Sequence, residues 1–403
     1  MSMKEALKRE ALALHEQYKG KLSVEASIPV KGIEELSLVY SPGVAAPCVE
    51  IQHDVTKAYT YTMKGNLVGV VSDGTAVLGL GDIGPEAAMP VMEGKALLLK
   101  QFAGINAVPI CLDTKDTDEI VQIVRALAPT FGAINLEDIS APRCFEIEAR
   151  LQDLGIPVFH DDQHGTAIVV GAGLINALKI VGKQKEQVRV VINGAGAAGV
   201  AILKILLSLG YQGSNIVVCD SKGIIYEGRK EGMNSEKEYV ALWSNTANLT
   251  GSLEEAVVNA DIFIGVSAPN VLTEKMISTM NVDPIIFALA NPDPEVTYEN
   301  ALAWGAKVIA TGRSDYPNQI NNMLAFPGIF RGALDVHATA ITEEMKLATI
   351  EAIANLVTSD QLVEGTVVPN VFEIDVTEAV AHAVRHCAYE TGIAKTKIPV
   401  FTK

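Results

Sequence analysis

A glycine-rich loop between two apolar runs constrains the fold of this chain more than any other feature. The loop follows the β-branched run 188–192 and opens the apolar, helix-like stretch 200–207. A further apolar run ends in Asp220, about 20 residues beyond the loop. In a dinucleotide-binding βαβ unit, such glycines let a pyrophosphate approach the helix N-terminus. The sequence therefore predicts a Rossmann-like α/β domain that binds NAD(P). The expected cofactor loop consists of Gly194, Ala195, Gly196, Ala197, Ala198 and Gly199.

Asp220 bears on which nicotinamide cofactor the domain prefers. At the end of the second strand, its carboxylate can accept hydrogen bonds from the adenosine ribose and repel the 2′-phosphate of NADP. Lys222 and Arg229 follow closely, and either could instead meet that phosphate. The pattern favours NAD, with NADP as the alternative.

A second match to the glycine spacing, at residues 79–84, lacks the surrounding βαβ pattern. Pro85 follows it directly, and no strand ending in an acid comes at a comparable distance. This segment favours a tight glycine turn near a site over a second nucleotide loop.

Two acidic pairs precede the cofactor loop. Glu137-Asp138 and Asp161-Asp162 offer four carboxylates, the hard oxygen ligands that Mg²⁺ and Mn²⁺ prefer. Taken alone, Glu137-Asp138 could be an acidic pair at a helix start. Together and close to a nucleotide loop, the two pairs predict a divalent-cation site that faces a nicotinamide. That is the layout of a metal-dependent oxidoreductase.

Two histidine pairs have the i, i+4 spacing of a zinc-binding helix. His160 and His164 flank an aspartate where the zinc motif has a glutamate, and the sequence offers no evident third ligand. His382 and His386 lie on a predicted C-terminal helix. Both pairs favour structural histidines over a zinc site.

The composition indicates a large acidic α/β protein. The 403 residues carry a net charge of −16, and 49% are hydrophobic while only 5% are aromatic. Such a chain suggests two domains, disfavours nucleic-acid partners and offers no basic patch for a membrane. Five scattered cysteines, a charged N-terminus and the lack of a long apolar run predict a cytoplasmic protein.

The order of these features predicts four segments. The N-terminal one is helical, because apolar residues recur at helical spacing between Lys4 and Tyr18. Its apolar face could pack on its own domain or on a partner subunit, and we expect a homodimer or higher homo-oligomer. The polar junction 182–187 is the expected hinge. The segments are an N-terminal helical one (1–20), a smaller α/β substrate and metal domain (21–159), the Rossmann domain (160–335) and a C-terminal helical one (336–403).

Taken in order, the motifs resemble those of malic enzymes, and the short bacterial-type branch matches best in length. The resemblance runs from Leu38 to Phe330. It implies oxidative decarboxylation of (S)-malate to pyruvate and CO₂, with NAD(P)⁺ and with Mg²⁺ or Mn²⁺. The partners would then be small molecules, malate and pyruvate. The matching motifs are 39–45, 79–84, 94–105, 135–139, 160–167, 194–199, 291–292 and 321–328.

The resemblance also implies roles around the acidic pairs. Glu137, Asp138 and Asp162 would bind the cation. Lys95 would act as general base on the malate C2 hydroxyl, with Asp161 as its hydrogen-bond partner. A nearby cation and partial burial are expected to lower the pKa of Lys95.

Further residues are implied at the substrate itself. Tyr40 would protonate the enolpyruvate at C3, although a tyrosine before Ser-Pro-Gly could simply anchor a turn. Asn291 and Asn322 would donate to the substrate carboxylates, since amides orient an anion without adding charge. Asn321 is the alternative to Asn322, and Lys100 is the alternative to Lys95.

One departure from the family pattern concerns a substrate arginine. Many longer malic enzymes carry an arginine just before the Leu-Gly-Leu-Gly turn, where this chain has Ala76. An alanine cannot hold a carboxylate, so another group must do so. Arg143 and Arg313 are both candidates.

Two other function classes stay open from the sequence. A metal-dependent oxaloacetate decarboxylase would use the same cation and lysine without turnover of NAD. A non-catalytic NAD-binding protein would need neither. The intact loop 194–199 disfavours the first, and the set of Tyr40, Lys95 and the acids disfavours the second.

Overall fold

The computed structural model describes residues 3–77, 79–372 and 375–398, except for the side chains of residues 3 and 4. The first of its two large β-sheets is parallel, with strand order β2-β1-β3-β4. Its strands are β1 (Leu67–Ser72), β2 (Asn106–Cys111), β3 (Ala133–Leu136) and β4 (Val158–His160). In the pairing of β3 with β4, Leu136 lies opposite His160. The residues that follow these two strands therefore meet at one edge of the sheet.

The second sheet has strand order β10-β9-β8-β5-β6-β7 and is parallel except for β7. Its strands are β5 (Val190–Asn193), β6 (Ile216–Asp220), β7 (Gly223–Ile224), β8 (Ile262–Gly265), β9 (Ile285–Ala288) and β10 (Val308–Thr311). The chain runs outward from β5 to β6 and returns to β8 on the other side of β5. The crevice above β5 and β8 is thus a topological switch point, where sheets of this kind bind ligands. The predicted Rossmann-like domain is confirmed.

Helices precede, connect and follow the two sheets. Those before and around the first sheet are α1 (Met3–Tyr18), α2 (Ile33–Val39), α3 (Ala45–His53), α4 (Ala58–Tyr61), α5 (Pro85–Ala103), α6 (Thr117–Leu127), α7 (Arg143–Leu151) and α8 (Asp161–Val181). The later ones are α9 (Ala197–Ser208), α10 (Ser235–Trp243), α11 (Leu253–Ala256), α12 (Glu274–Ile277), α13 (Tyr298–Ala303), α14 (Phe326–Asp335), α15 (Glu343–Asn355), α16 (Ser359–Val363) and α17 (Val376–Glu390). The predicted N-terminal helix is confirmed as α1.

Helix α8 connects the two sheets. It starts directly after β4, and most of its side chains are buried. It packs on α9 and α15, where Gly171 approaches Ile350 closely. Its length and hydropathy would suffice to cross a membrane, but 67% of its most apolar stretch is buried inside the protein. Such burial is typical of a core helix.

The polar junction after α8 is anchored by its lysines. Gly182 ends the helix in the left-handed conformation, with φ +65°. The Lys183 ammonium then donates to Asp261 at 2.8 Å and to the carbonyl of Val282 at 2.5 Å. The Lys185 ammonium donates to the carbonyl of Leu209 at 2.6 Å. These lysines tie the junction to the amino end of the second sheet, and its role as a hinge stays a prediction.

The N-terminal arm, residues 5–63, lies largely on the outside. Helices α2, α3 and α4 have no buried residue. The backbone amide of Lys21 donates to Glu93 at 3.0 Å and its ammonium donates to the carbonyl of Pro90 at 2.8 Å, which fixes one point of the arm on α5. Apolar side chains elsewhere on the arm stand in solvent. They include Val24, Ile28, Ile33, Leu38, Val49, Val55 and Met63.

Candidate active site

Both acidic pairs lie at the carboxyl edge of the first sheet. Glu137 and Asp138 follow β3, and Asp161 and Asp162 form the first turn of α8 after β4. One carboxylate oxygen each from Glu137, Asp138 and Asp162 lies within 4.8 Å of the other two. Asp138 has the left-handed φ of +53°, which its backbone holds by accepting from the amide of Ala76 at 2.9 Å. The three expected metal ligands are thus brought together.

This cluster fits a divalent cation. Asp138 Oδ2 is buried without a hydrogen-bond partner among the described residues. Burial is the main cause that raises the pKa values of Glu137, Asp138 and Asp162, and mutual repulsion adds to it. For Asp138 the pKa rises to about 9. Buried, mutually repelling oxygen ligands are stabilised by a hard cation such as Mg²⁺ or Mn²⁺.

Lys95 on α5 reaches into the same cluster and is 7% exposed. Its ammonium lies 2.6 Å from Asp161 Oδ2 and 2.9 Å from Glu137 Oε1, and 4.5 Å from the ring centre of Phe326. The alternative lysine, Lys100, instead donates to Asn106 on the exposed side of α5 at 2.9 Å. The geometry therefore selects Lys95 as the lysine of the site.

The charge state of Lys95 differs from the one expected. Burial alone would lower its pKa, but the carboxylates of Asp161, Glu137 and Asp162 together outweigh burial and raise it. The prediction that the pKa of Lys95 is lowered is therefore wrong for the protein without a cation. That prediction considered burial and a cation but not the three neighbouring carboxylates. Burial raises the pKa of Asp161 to about 6 even beside Lys95.

The two asparagines expected at the substrate occupy different positions. Asn322 donates to Asp161 Oδ2 at 2.5 Å and so joins the Lys95 cluster. The side chain of Asn321 instead accepts from the backbone of Met323 at 2.9 Å, which caps its own turn. Asn291 follows β9 and precedes a cis peptide bond to Pro292. The side-chain amide nitrogen of Asn291 lies 2.7 Å from the position that a Cβ on Gly312 would take, so only a glycine leaves room for it there.

Tyr40 is not brought to Lys95 within the described part of this chain. It ends α2 and is 68% exposed. Its backbone amide donates to the carbonyl of Leu36 at 3.0 Å, and its carbonyl accepts from Val44 at 2.7 Å. No hydrogen bond of its hydroxyl is found among the described residues. The sequence motif placed Tyr40 in the site, whereas the fold of one chain leaves it on the N-terminal arm.

The cofactor loop has the geometry that the glycines predicted. Gly194 adopts φ +125°, and a Cβ there would lie 2.5 Å from the carbonyl oxygen of Val266. A Cβ on Gly199 would lie 1.8 Å from the carbonyl oxygen of Gly194. Nothing lies within 4 Å of a Cβ on Gly196, which precedes α9. The outer glycines close the turn, and the middle one leaves open space at the helix N-terminus for a pyrophosphate.

Asp220 ends β6 as predicted, but its carboxylate is already paired. It accepts from Arg229 through both oxygens, from the Lys237 ammonium at 2.7 Å and from the Lys222 backbone at 2.8 Å. Burial alone would raise its pKa, but these hydrogen bonds outweigh burial and lower the pKa to about 2. The predicted repulsion of a 2′-phosphate requires an unpaired Asp220 carboxylate. In the structure, the positive charges of Arg229 and Lys237 balance the charge of that carboxylate. Lys237 was missed in the sequence because it lies 17 residues away, on the far side of a loop.

The two candidate arginines occupy different positions. The Arg143 guanidinium donates to Asp73 at 2.8 Å and to Thr75 at 3.0 Å, directly before Ala76. Arg313 pairs with Asp315 and also donates to the carbonyl of Pro292, next to Asn291, at 3.3 Å. Arg143 thus stands next to the position of the missing arginine. The glycine turn 79–84 also lies at the site, since a Cβ on Gly79 would be 3.4 Å from the carbonyl oxygen of Asn291.

The histidine pairs do not build a second metal site in the part of the chain that is described. The one candidate metal cluster found there is that of Glu137, Asp138 and Asp162. His164 bonds to Glu148 at 2.9 Å and to the Lys346 ammonium at 3.2 Å. His160 is fully buried, and the rings of His382 and His386 contact each other at a tilt of 39°.

Comparison with known proteins identifies the same two-part organisation. Residues 19–152 match the family model for the malic enzyme N-terminal domain, and residues 163–389 match that for the malic enzyme NAD binding domain. The chain is 58% identical to a bifunctional malic/malolactic enzyme of Bacillus subtilis, over 98% of this chain and 96% of the relative. It is 59% identical to an NAD-dependent malic enzyme of Geobacillus stearothermophilus, over 94% and 79% of the two chains.

Solved structures agree with these matches. A crystal structure of an NAD-dependent malic enzyme from Thermotoga maritima superposes with a TM-score of 0.89 at 49% identity, covering 93% of this chain and 98% of the other. A malic enzyme from Pyrococcus horikoshii gives a TM-score of 0.92 at 45% identity, covering 97% and 93%.

The raised pKa values predict that cation binding is linked to proton release. A carboxyl whose folded pKa is raised keeps its proton when the unfolded chain has lost it. Without cation, stability therefore falls as pH rises from about 4, the unfolded value, towards the value of about 9 for Asp138. We expect Mn²⁺ to raise the melting temperature more at about pH 8 than at about pH 6. Calorimetry in buffers of different ionisation enthalpy should also record protons released.

Asp138→Asn should lower that proton release, since it removes one titrating ligand. The control is Asp118→Asn, because Asp118 pairs with Arg150 at the surface and should leave both measurements unchanged. Binding heats that do not depend on the buffer, with a melting shift that is the same at both pH values, would contradict the assignment.

Proposed function

The chain belongs to the malic enzyme family, and we infer from this that it oxidatively decarboxylates (S)-malate to pyruvate and CO₂ while reducing NAD(P)⁺. The observation that carries this proposal is the placement of Lys95 between Asp161 and Glu137, at 2.6 Å and 2.9 Å. This pair of contacts puts a lysine, which can move a proton, inside the three-acid cluster.

Glu137, Asp138 and Asp162 would hold Mg²⁺ or Mn²⁺ against the C2 oxygen of malate. When bound, the cation supplies polarisation of that oxygen and so favours loss of the C4 carboxylate. When bound at the loop 194–199, the nicotinamide cofactor supplies the acceptor for the C2 hydride. The chain itself binds and orients the substrate and moves its protons.

Lys95 takes the proton of the C2 hydroxyl onto its Nζ. To do so it must first be neutral, and the surrounding acids oppose that by raising its pKa. Two of the three acids responsible, Glu137 and Asp162, are cation ligands in this proposal. Neutralising their charge lowers the pKa of Lys95 towards the value that a general base needs. Asp161, held by Asn322, keeps the Lys95 Nζ aligned whether the lysine is protonated or neutral.

We propose that the protein is a homodimer, in which Tyr40 completes the site of the partner. The support is the N-terminal arm, whose apolar side chains stand in solvent on a single chain. A soluble monomer seldom exposes so many large apolar residues in one segment. Tyr40 lies within that arm, so an arm that covers the cleft of a second copy would carry its hydroxyl to C3 of the substrate.

We propose that residues 21–159 form the substrate and metal domain, that 160–335 form the cofactor domain and also contribute Asp162 and the two asparagines to the site between them, and that the flanking segments 1–20 and 336–403 support them. The five cysteines are unpaired, which supports a reducing, cytoplasmic location. The Bacillus subtilis relative is named as bifunctional, so lactate is a second product to assay.

The function is tested by nicotinamide reduction with malate, with and without Mn²⁺, and by pyruvate and lactate release. Lys95→Ala should lower kcat by roughly 10²–10⁴-fold, the range of a lost general base, and small amines should restore part of it. NADH binding should persist in this variant and after chelation. The matched control is Lys100→Ala, a lysine on the same helix whose ammonium donates to Asn106 on the exposed side.

A wild-type protein that releases pyruvate from oxaloacetate but never reduces NAD(P)⁺ with malate would instead be a decarboxylase. A protein that binds NADH and does neither would be non-catalytic. Full activity in Lys95→Ala would remove the lysine from the mechanism.

The contribution of Tyr40 across subunits is tested by mixing two inactive variants. Tyr40→Phe should block the final protonation while sparing oxaloacetate reduction. Subunit exchange with Lys95→Ala should restore about one quarter of wild-type activity, because about half of the dimers are mixed and each has one intact site. A tyrosine acting within its own chain would give no recovery. Wild-type behaviour of Tyr40→Phe in every partial reaction would mean that another group is the acid.

Cofactor preference should depend on Lys237. With Asp220 balanced by Arg229 and Lys237, we expect NADP to be accepted alongside NAD. Lys237→Gln should lower kcat/KM for NADP by roughly 5–30-fold, the worth of one charged contact, and change that for NAD much less. The control is Lys185→Gln, because the Lys185 ammonium donates to the carbonyl of Leu209 at the amino end of the sheet, away from Asp220. An unchanged ratio between the two cofactors in Lys237→Gln would show that this lysine does not meet the phosphate.

A further inference from the structure

Glu295 is a buried carboxylate that the proposed reaction does not use. It follows the Asn291-Pro292 segment after β9 and is 0% exposed. The residues around it belong to three loops at the carboxyl edge of the second sheet. These loops follow β5, β8 and β9, and they form the switch-point crevice.

The carboxylate of Glu295 joins the loops after β8 and β9. Its Oε1 accepts from the backbone amide of Ser267 at 2.9 Å and from the hydroxyl at 3.3 Å. Its Oε2 accepts from the backbone amide of Ala290 at 3.0 Å. Each loop thus contributes a backbone donor to a different oxygen of one side chain.

The same connection continues to the cofactor loop. Asn193 ends β5, and its amide donates to the Ser267 hydroxyl at 2.7 Å. Gly194 follows Asn193 and packs against Val266 of the β8 loop. On the other side, Ala290 directly precedes Asn291. A continuous set of hydrogen bonds therefore runs from the dinucleotide turn to the asparagine assigned to the substrate.

A carboxyl group satisfies this arrangement and an amide does not. Both backbone groups are donors, and a glutamine would turn its own NH₂ towards one of them. The loss would be large because the groups are buried. Burial raises the pKa of Glu295, so the donors must hold the charge in place. Gly265 leaves room for the Glu295 side chain, because a Cβ on Gly265 would lie 2.3 Å from the Glu295 carboxyl carbon.

We propose that Glu295 is a positioning residue that sets the distance between the nicotinamide and malate. It does so by locking the β8 loop, which packs on the dinucleotide turn, to the β9 loop, which carries Asn291. The assignment of malate and Asn291 rests on the function proposed above. Hydride transfer depends steeply on such a distance, because a displacement of about 1 Å can cost on the order of a hundredfold in rate.

The test compares Glu295→Gln with a carboxylate at the opposite end of the same sheet. Asp261 is also buried and accepts from the backbone amide of Arg189 at 2.8 Å, but it precedes β8 and lies away from the crevice. Glu295→Gln should lower kcat/KM for malate by about 10–100-fold, with a raised KM. Asp261→Asn should lose melting temperature and keep both constants within about twofold of wild type.

Ser267→Ala covers the case in which Glu295→Gln does not fold. It removes the hydroxyl link to Asn193 and keeps the backbone bonds, so a smaller change of the same kind is expected. Equal constants in Ser267→Ala and wild type, or a Glu295→Gln that loses only stability as Asp261→Asn does, would overturn the proposal.

NADH binding separates this inference from the proposed function. A wild-type protein without malate-dependent reduction would refute the function and leave the link between the loops to be judged by the NADH dissociation constant. Glu295→Gln should weaken NADH binding severalfold and Asp261→Asn should not. If the wild type does not oxidise malate and Glu295→Gln binds NADH as tightly as the wild type, the link between the loops is refuted too.

Discussion

The excess of buried negative charge around Lys95 is the constraint on which the rest of the site depends. Four carboxyl groups meet one ammonium group there, and burial raises the pKa of each acid. Burying that many like charges is costly unless protons or a cation offset them. The pairing of β3 with β4 enforces the arrangement, because each acidic pair directly follows one of two neighbouring strands. The fold thus creates a demand for positive charge that the chain alone does not meet.

Features that depend on neighbouring residues were well predicted from the sequence. The strand, glycine turn, helix and second strand around 194–199 form as expected, because the required conformations are encoded locally by glycines and β-branched runs. The three residues expected to bind the cation also lie close together, as predicted. Adjacent strands in a parallel sheet bring their following residues to one edge, so two acidic pairs needed only to follow two such strands.

Properties set by partners distant in the sequence were not predictable in the same way. Lys95 was expected to have a lowered pKa, but Asp161 lies 66 residues away and raises it together with Glu137. Asp220 was expected to repel a phosphate, but Lys237 and Arg229 fold back over it. Tyr40 was placed by its motif, and nothing in the sequence said that its helix would lie apart from the cluster. In each case the sequence identified the residue but did not predict which distant residues surround it.

The position of α8 has a mechanical consequence. Its first turn supplies Asp162 to the cation site, while the rest of the helix is embedded beside α9 and α15. The other two expected ligands, Glu137 and Asp138, directly follow β3 of the first sheet. A cation held by all three would therefore join the end of β3 to the helix that packs on α9. Binding of a cation there would therefore strengthen the connection between the first sheet and the helices behind the nucleotide turn.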